Sequence, residues 1–238
     1  MADEDIVSYD TGTGIWSMHV DLSDVGITGD IDAFAILANG DIAMSFDATT
    51  TVPGLSGGPS GTSVETADIV IFHPTATGAA TAGSFAFHFD GSDVALTQSA
   101  ENIDALFIDA SGAIFLSTTG NPSVTGLSGV ADEDVIRFTP TSTGSTTAGT
   151  WSYWFDGSDV ALSQTAEDID AICFDSAGRL MFSCTGAWSV AGAAGADEDI
   201  GRFTGTYGTA TSGSFVLLYD ISTIGVPTGA NVDGFVIR

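Results

Sequence analysis

At 238 residues, with 44% hydrophobic side chains and a mean hydropathy of +0.30, the chain can bury a sizeable core. It carries 31 acidic residues against four basic ones (Arg137, Arg179, Arg202, Arg238), a formal net charge of −27. That balance excludes nucleic acid and anionic membrane surfaces as partners, because both need Lys and Arg; no apolar run reaches the roughly 18 residues of a membrane helix.

The opening MADEDIVSYD is acidic and enters a strand pattern at once. This is the wrong chemistry for a cleaved signal peptide. A mature or trimmed start is expected, or export by another route such as lysis of a host by a phage. DIVSYD and IWSMHVD read as two strands. From Trp16, WSMHVDLSDVGI leads into GDIDAFAILANGDIAMSF. Gly54 to Gly58 fits G-x-S-x-G, but in a loop with no following helix, where a nucleophile elbow needs strand, turn and helix.

From Phe85 the chain reads FAFHFDGSDVALTQSAENIDALFIDASGAIFLSTTG, and 66 residues later, from Trp151, a near copy begins: WSYWFDGSDVALSQTAEDIDAICFDSAGRLMFSCTG. A degenerate copy starts at Phe215 and ends in NVDGFVIR. One Asp recurs before an apolar strand at Asp5, Asp68, Asp134 and Asp199, spaced by 63, 66 and 65 residues. The Asp of the IDA-like segment recurs at Asp32, Asp104, Asp170 and Asp233. Four repeats, approximately 2–64, 65–130, 131–195 and 196–238, account for the whole chain as a single β-repeat domain.

Within a repeat, IDALFID (Ile103–Asp109) alternates and stops at Ala110-Ser111-Gly112, a hairpin signal. AIFLST (Ala113–Thr118) follows, then a long Gly/Ser loop. DVIRFTP (Asp134–Pro140) is expected to end at Pro140, which lacks a ladder donor. WSYWFD (Trp151–Asp156) completes four strands, and no helical periodicity persists over ten residues. Cys173 should face Met181 across a hairpin, leaving Cys184 too far away for a disulfide.

This repeated four-stranded meander resembles β-propellers in general, and the acidic Gly/Thr/Ser-rich repeats of bacterial and phage surface proteins. The resemblance implies an all-β, four-repeat propeller-like fold with about four strands per repeat. An antiparallel β-solenoid or a pair of β-sandwiches is the alternative. If each blade starts with the IDA-like strand, the C-terminal VDGFVIR pairs beside an N-terminal strand and closes a ring. That last blade lacks its second strand, an edge that a neighbouring subunit could fill.

Successive strands reverse, so ADED, DGSD and EDID are expected on one rim. Asp90, Asp93 and Asp104, with Glu101, form one acidic set. Asp156, Asp159, Asp168 and Asp170, with Glu167, form the next. Degenerate sets are Asp21, Asp24, Asp30 and Asp32, then Asp220 and Asp233, with Thr223 replacing the second Asp. So many hard oxygen donors suit Ca²⁺, which takes about six to eight of them; capping of turns by Asp is the competing reading. Trp16, Phe85, Trp151 and Phe215 are equivalent core positions, whereas Trp154 and Trp188 break the pattern and could stack a sugar.

The function expected is therefore a non-enzymatic structural or binding module exposed outside the cell: a virion surface component or adhesin, stabilised by calcium. Its partners would be other protein subunits or a cell-surface glycan, in an oligomer or larger assembly. A lectin-like propeller, or less so a glycoside-cleaving enzyme using paired carboxylates, is the alternative. Acids recurring in every repeat argue against a single active site.

Overall fold

The structure, a computed structural model, describes residues 2–237. It is all-β apart from short 3-10 turns. In chain order the strands are β1 (Asp5–Asp10), β2 (Ile15–Asp21), β3 (Ile31–Ile36), β4 (Ile42–Phe46), β5 (Thr50–Thr51), β6 (Ser63–Val64), β7 (Ile69–Ala76), β8 (Ala82–Phe89) and β9 (Ile103–Ile108). There follow β10 (Ile114–Thr118), β11 (Val135–Ser142), β12 (Ala148–Phe155), β13 (Ile169–Phe174), β14 (Leu180–Cys184), β15 (Trp188–Val190), β16 (Ala193–Gly195), β17 (Ile200–Thr206) and β18 (Ser212–Tyr219).

Three antiparallel four-stranded sheets follow the repeats: β3-β4-β7-β8, β9-β10-β11-β12 and β13-β14-β17-β18. Each begins with its IDA strand, as the hairpin pattern predicts. None of the sheets closes on itself. β1 and β2 pair as a separate hairpin, while β5–β6 and β15–β16 are small hairpins inside the long loops of the first and third repeats. Those hairpins raise the strand number above four per repeat. Cys173 pairs with Met181 as expected, and both cysteines are buried free thiols.

Two expectations are corrected. Pro140 does not end its strand: β11 runs on to Ser142 with Pro140 opposite Gly149. By that point β11 has left β10, whose pairing covers only Ile136 to Phe138, so the missing N–H breaks no rung on that side. The C-terminal segment, second, forms no strand, and no ladder joins it to β1. An extended segment gains its regular geometry from a neighbour's hydrogen bonds, and none of the ladders includes this one. The segment is nonetheless anchored. Val232, Phe235, Val236 and Ile237 pack with Ala171, Cys173 and Met181. Gly234 lies so close under Phe34 that a Cβ would meet the ring at 2.5 Å. The Arg238 end of VDGFVIR lies outside the described residues.

Each sheet covers its neighbour. One core cluster joins Ile69 and Phe89 of the first sheet to Leu106, Ile136 and Phe138 of the second. Another joins Phe115 and Phe155 of the second to Phe182 and Phe203 of the third. The IDA strands meet: β9 packs against both β3 and β13, and β3 also touches β13.

The outer ends are latched by one pattern used three times. The second Asp of the DGSD-type turn accepts a backbone N–H from the next repeat: Thr81 N to Asp24 Oδ2 at 2.7 Å, Thr147 N to Asp93 Oδ2 at 2.8 Å and Thr211 N to Asp159 Oδ2 at 2.9 Å. The same threonine hydroxyl accepts the N–H of the first Asp, from Asp21, Asp90 or Asp156 at 2.9–3.0 Å. It also donates to the carbonyl of Gly78, Gly144 or Gly208. These threonines are buried, so each latch is shielded from water.

The junction between β18 and β2 differs. Thr223 stands where a latch Asp would be and donates instead to Asp220 O. One inter-repeat contact survives there. Trp16 Nε1 donates to Ile224 O at 3.0 Å, 208 residues along the chain, in the way Trp151 Nε1 donates to Val94 O.

Removing a latch hydroxyl strands a buried N–H, a loss of about 1–3 kcal/mol. Thr147→Val should therefore lower the urea midpoint clearly. Thr223→Asp, which has no threonine to meet, should leave it unchanged. Equal midpoints for Thr147→Val and the parent would show that the latches contribute nothing.

Candidate functional site

The acids expected to share one rim divide into groups with different chemistry. Asp93 and Asp159 are latch residues. Asp90 Oδ1 accepts from Ser92 Oγ at 2.6 Å, and Asp156 Oδ1 from Ser158 Oγ at 2.8 Å, both capping their own turns. Glu101 and Glu167 are buried, yet each accepts three backbone N–H groups: from Thr97, Gln98 and Ser123, and from Ser163, Gln164 and Ser189. All six carboxylates thus serve the backbone. At the opposite ends of the strands, Asp109 and Asp175 likewise cap the turns that carry them.

Asp104, Asp168 and Asp170 behave otherwise. Asp104 and Asp170 lie on the gathered IDA strands β9 and β13, at 2% and 3% exposure. None of their four carboxyl oxygens has a hydrogen-bond partner, and Asp168 Oδ1 and Asn102 Oδ1 beside them are also buried and unpartnered. Asp168 and Asp170 are two residues apart, as are Asn102 and Asp104. Asp32, Asp104 and Asp170 each occupy the irregular position of the strand, where the ladder pairs the residues on either side and skips the aspartate; such a bulge re-aims the skipped side chain, which explains its burial on an otherwise alternating strand.

Asp32 on β3 and Asp233 in the C-terminal segment complete the set. Asn102 Nδ2 donates to Asp32 Oδ2, and Asn231 Nδ2 to Asp233 Oδ1, each at 2.6 Å. Asn231 also acts on Asp170, but its donor is directed to Asp233 and satisfies neither Asp170 oxygen. The four IDA-type aspartates, one from each repeat, are electrostatic neighbours in a closed circuit.

Burial, then Asp168, Asp32 and Asp170, raises the Asp104 carboxyl well above the usual range. Burial raises Asp170 similarly, with Asp233 and Asp168 adding repulsion. Asp32 is pushed up to about 7 by burial, then by Asp233, Asp47 and Asp30. Asp168 reaches about 7 through burial, Asp132 and Glu133. Asp233 is raised mainly by burial.

Among the described residues, no arginine acts on these carboxyls. Arg179 pairs with Asp175 at 2.6 Å, Arg137 lies over the Phe115 ring at 5.5 Å, and Arg202 sits within β17. Among the described residues, no three acidic, His or Cys side chains close around one point as a finished metal shell. The result is a set of closely buried, mutually repelling carboxyls on the first strands of the sheets.

Asp32 and Asp233 are recognisable in the sequence as repeat equivalents, but were expected on the rim. Alternation alone does not reveal that the first strands of the sheets gather together. The aromatic candidates also resolve. Trp188 is buried against Phe182, at 5.1 Å between centroids. Trp154 is stacked on Tyr207 at 3.9 Å. Neither offers a free face. Ser56 of the G-x-S-x-G stretch donates to Phe85 O at 3.1 Å, with no base beside it in that contact.

No family model matches the chain, and no curated protein matches it. Among solved structures it is similar to the extracellular domain of a one-component system from B. thetaiotaomicron, at 15% identity and TM-score 0.21, over 85% of this chain and 26% of that one. A second, the extracellular domain of a hybrid two-component system from B. thetaiotaomicron, gives 14% identity and TM-score 0.23, over 83% and 27%. The chain spans about a quarter of the length of these structures. At such scores the likeness carries no argument about function.

Carboxyls whose folded pKa is raised stabilise the fold when protonated, and that contribution is lost as pH rises through the folded value. With Asp32 and Asp168 near 7, the cation-free protein should melt several degrees lower at pH 8 than at pH 6. Asp32→Asn should flatten that dependence. A profile that is level from pH 6 to pH 8 in chelator would contradict the burial of these groups.

Proposed function

We propose that this chain is a non-enzymatic structural module that works outside the cell as a subunit of a larger assembly, such as a virion surface or an adhesin. The sheets are read as blades of a four-repeat ring of the propeller kind. β1–β2 and the C-terminal segment together make the incomplete fourth blade. Support for the ring comes from the Trp16 to Ile224 contact, which repeats between the chain's ends what Trp151 and Val94 do inside it.

One observation carries the assembly. Among the described residues, the large exposed hydrophobics are Ile15 and Trp16 on β2, and Val216, Leu217 and Tyr219 on β18. All five belong to the strands flanking the unlatched junction. Tyr219 is 42% exposed, whereas its equivalents Phe89 and Phe155 are fully buried. An apolar strip beside an unpaired strand edge is the chemistry of a protein contact. A glycan partner is disfavoured because the pattern-breaking tryptophans have no free face. Catalysis by paired carboxylates is disfavoured because the acids recur in every repeat and mostly serve the backbone. The excess of acid keeps the remaining surface hydrated and mutually repulsive, which confines association to this strip.

Sedimentation velocity over a concentration series tests the reading. Self-association is expected in the parent, and a shift to monomer in Trp16→Ser/Leu217→Ser. A parent that stays monomeric up to about 100 µM, well above the micromolar affinities of standard-sized interfaces, would overturn assembly through this strip.

A further inference from the structure

We infer that the inner edge of β1 and the C-terminal segment form an acceptor slot for one extended segment of a different protein chain: three apolar residues, a small hydroxyl residue, one further residue, then Lys or Arg. The inference rests on the ring reading above, because the slot lies between two parts of the proposed fourth blade.

β1 holds the place of a third strand. It pairs with β2 as β7, β11 and β17 pair with β8, β12 and β18. On the turn before it, Asp3 O accepts Ile31 N, just as Thr66 O accepts Ile103 N and Asp132 O accepts Ile169 N. The other third strands carry β4, β10 or β14, antiparallel, on their inner edge. Among the described residues, β1 pairs with β2 alone. Its side chains show the difference. Tyr9 is partly exposed where Phe72, Phe138 and Phe203 are fully buried, and Val7 is partly exposed where Val70 and Ile136 are buried. On the facing wall, Val232 is partly exposed where Ile103 and Ile169 are fully buried. Both walls therefore show the surface that a second strand covers in the other repeats. An open strand edge pairs with an extended segment through its main chain, and alternate side chains give specificity.

The chain itself carries three copies of what such a slot takes: IAMSF, IFLST and LMFSC. In the first two, the first and third residues oppose the third strand, Ile42 and Met44 facing Phe72 and Val70, Ile114 and Leu116 facing Phe138 and Ile136. Carried over to the slot, the first residue faces Tyr9 and the third Val7. The fourth is Ser45, Ser117 or Ser183, each donating its hydroxyl to a backbone carbonyl. Ser45 pairs with Ala33 while Asp32 is skipped, so the incoming fourth residue meets Gly234 and passes Asp233.

Charge sets the sixth place. In the first repeat it is Asp47, which acts on Asp30 and Asp32 at the head of β3. A side chain in the matching place of the slot meets Asp233 and Asp3, which repel each other and Asp30. A cation there is attracted by all three. A second copy of this chain is a poor donor. Its own second strands are buried at every residue, and two chains of net charge −27 repel. The donor is accordingly a different chain.

The probe is the labelled peptide AIFLSTKG, the sequence of residues 113–120 with Lys in the place of Thr119. Its fluorescence anisotropy is titrated with the full chain, and hydrogen exchange locates it. Saturable binding is expected, with β1 and residues 232–237 both gaining at least about tenfold protection. Glu for the peptide Lys should weaken binding at least about tenfold, and AIFDSTKG and a scrambled peptide should not bind. Val7→Asp should weaken it similarly; should that variant fail to fold, the peptide series on the parent decides. No saturation up to about 1 mM peptide, equal binding of AIFDSTKG, or protection on one wall only would overturn the slot. The strip is read separately, because Trp16→Ser/Leu217→Ser should still bind the peptide. A parent that binds peptide yet stays monomeric keeps the slot and loses the strip; one that self-associates without binding peptide does the reverse.

Discussion

No sheet in this protein can bury its own apolar face. Strands of five to eight residues in four-stranded sheets give two faces each, and burying them at about 25 cal/mol per Å² requires a neighbour. The core is accordingly shared, with Phe89 and Phe138 meeting across one boundary at 5.3 Å, and Phe155 and Phe203 across the next at 5.1 Å. Much else follows from this dependence. The first strands are gathered where the sheets converge, the outer hairpins must be held in step by latches, and the ends of the chain are brought to one junction.

Gathering has an electrostatic cost. A position that is harmless in one repeat becomes a ring of like charges when four repeats present it to the same space, and repulsion grows as burial lowers the local dielectric. The chain keeps an acidic residue there all the same, in an IDA-like segment of every repeat. It offsets the repulsion only partly, with Asn102 and Asn231. Elsewhere it uses carboxylates differently. Asp134 accepts from Ala131 N and Gly157 N, and Asp68 from Glu65 N and Gly91 N, tying the turn before each third strand to the turn after the fourth.

Much of this was legible in the sequence. The 63–66 residue spacing marks the repeats, and alternation marks the strands closely: Ile103–Ile108 and Ile114–Thr118 differ from the expected limits by one residue each. The Cys173 to Met181 pairing follows from the hairpin turn alone. Long-range partners were not legible. Thr147 sits in a turn that reads as ordinary Thr/Ser filler, and nothing local shows that its amide meets Asp93, 54 residues away. Trp188 breaks the repeat pattern because the third repeat folds a small hairpin over Phe182, and a loop insertion of that kind carries no periodic signal. The substitution at Thr223 was visible; that it removes a latch became clear only from the three intact ones.

The scarcity of basic residues has a further consequence, for durability. Proteases that cut after Lys or Arg need a cleavable bond in a segment that can be pulled into their cleft, and such segments are loop tips. This chain has no Lys. Arg137 and Arg202 lie in the ladders of β11 and β17, each hydrogen-bonded on both sides, and Arg179 is clamped to Asp175 within a tight turn. Enzymes of that specificity must wait for a sheet to open before they find a site, so the same composition that repels nucleic acid also hardens the protein against digestion.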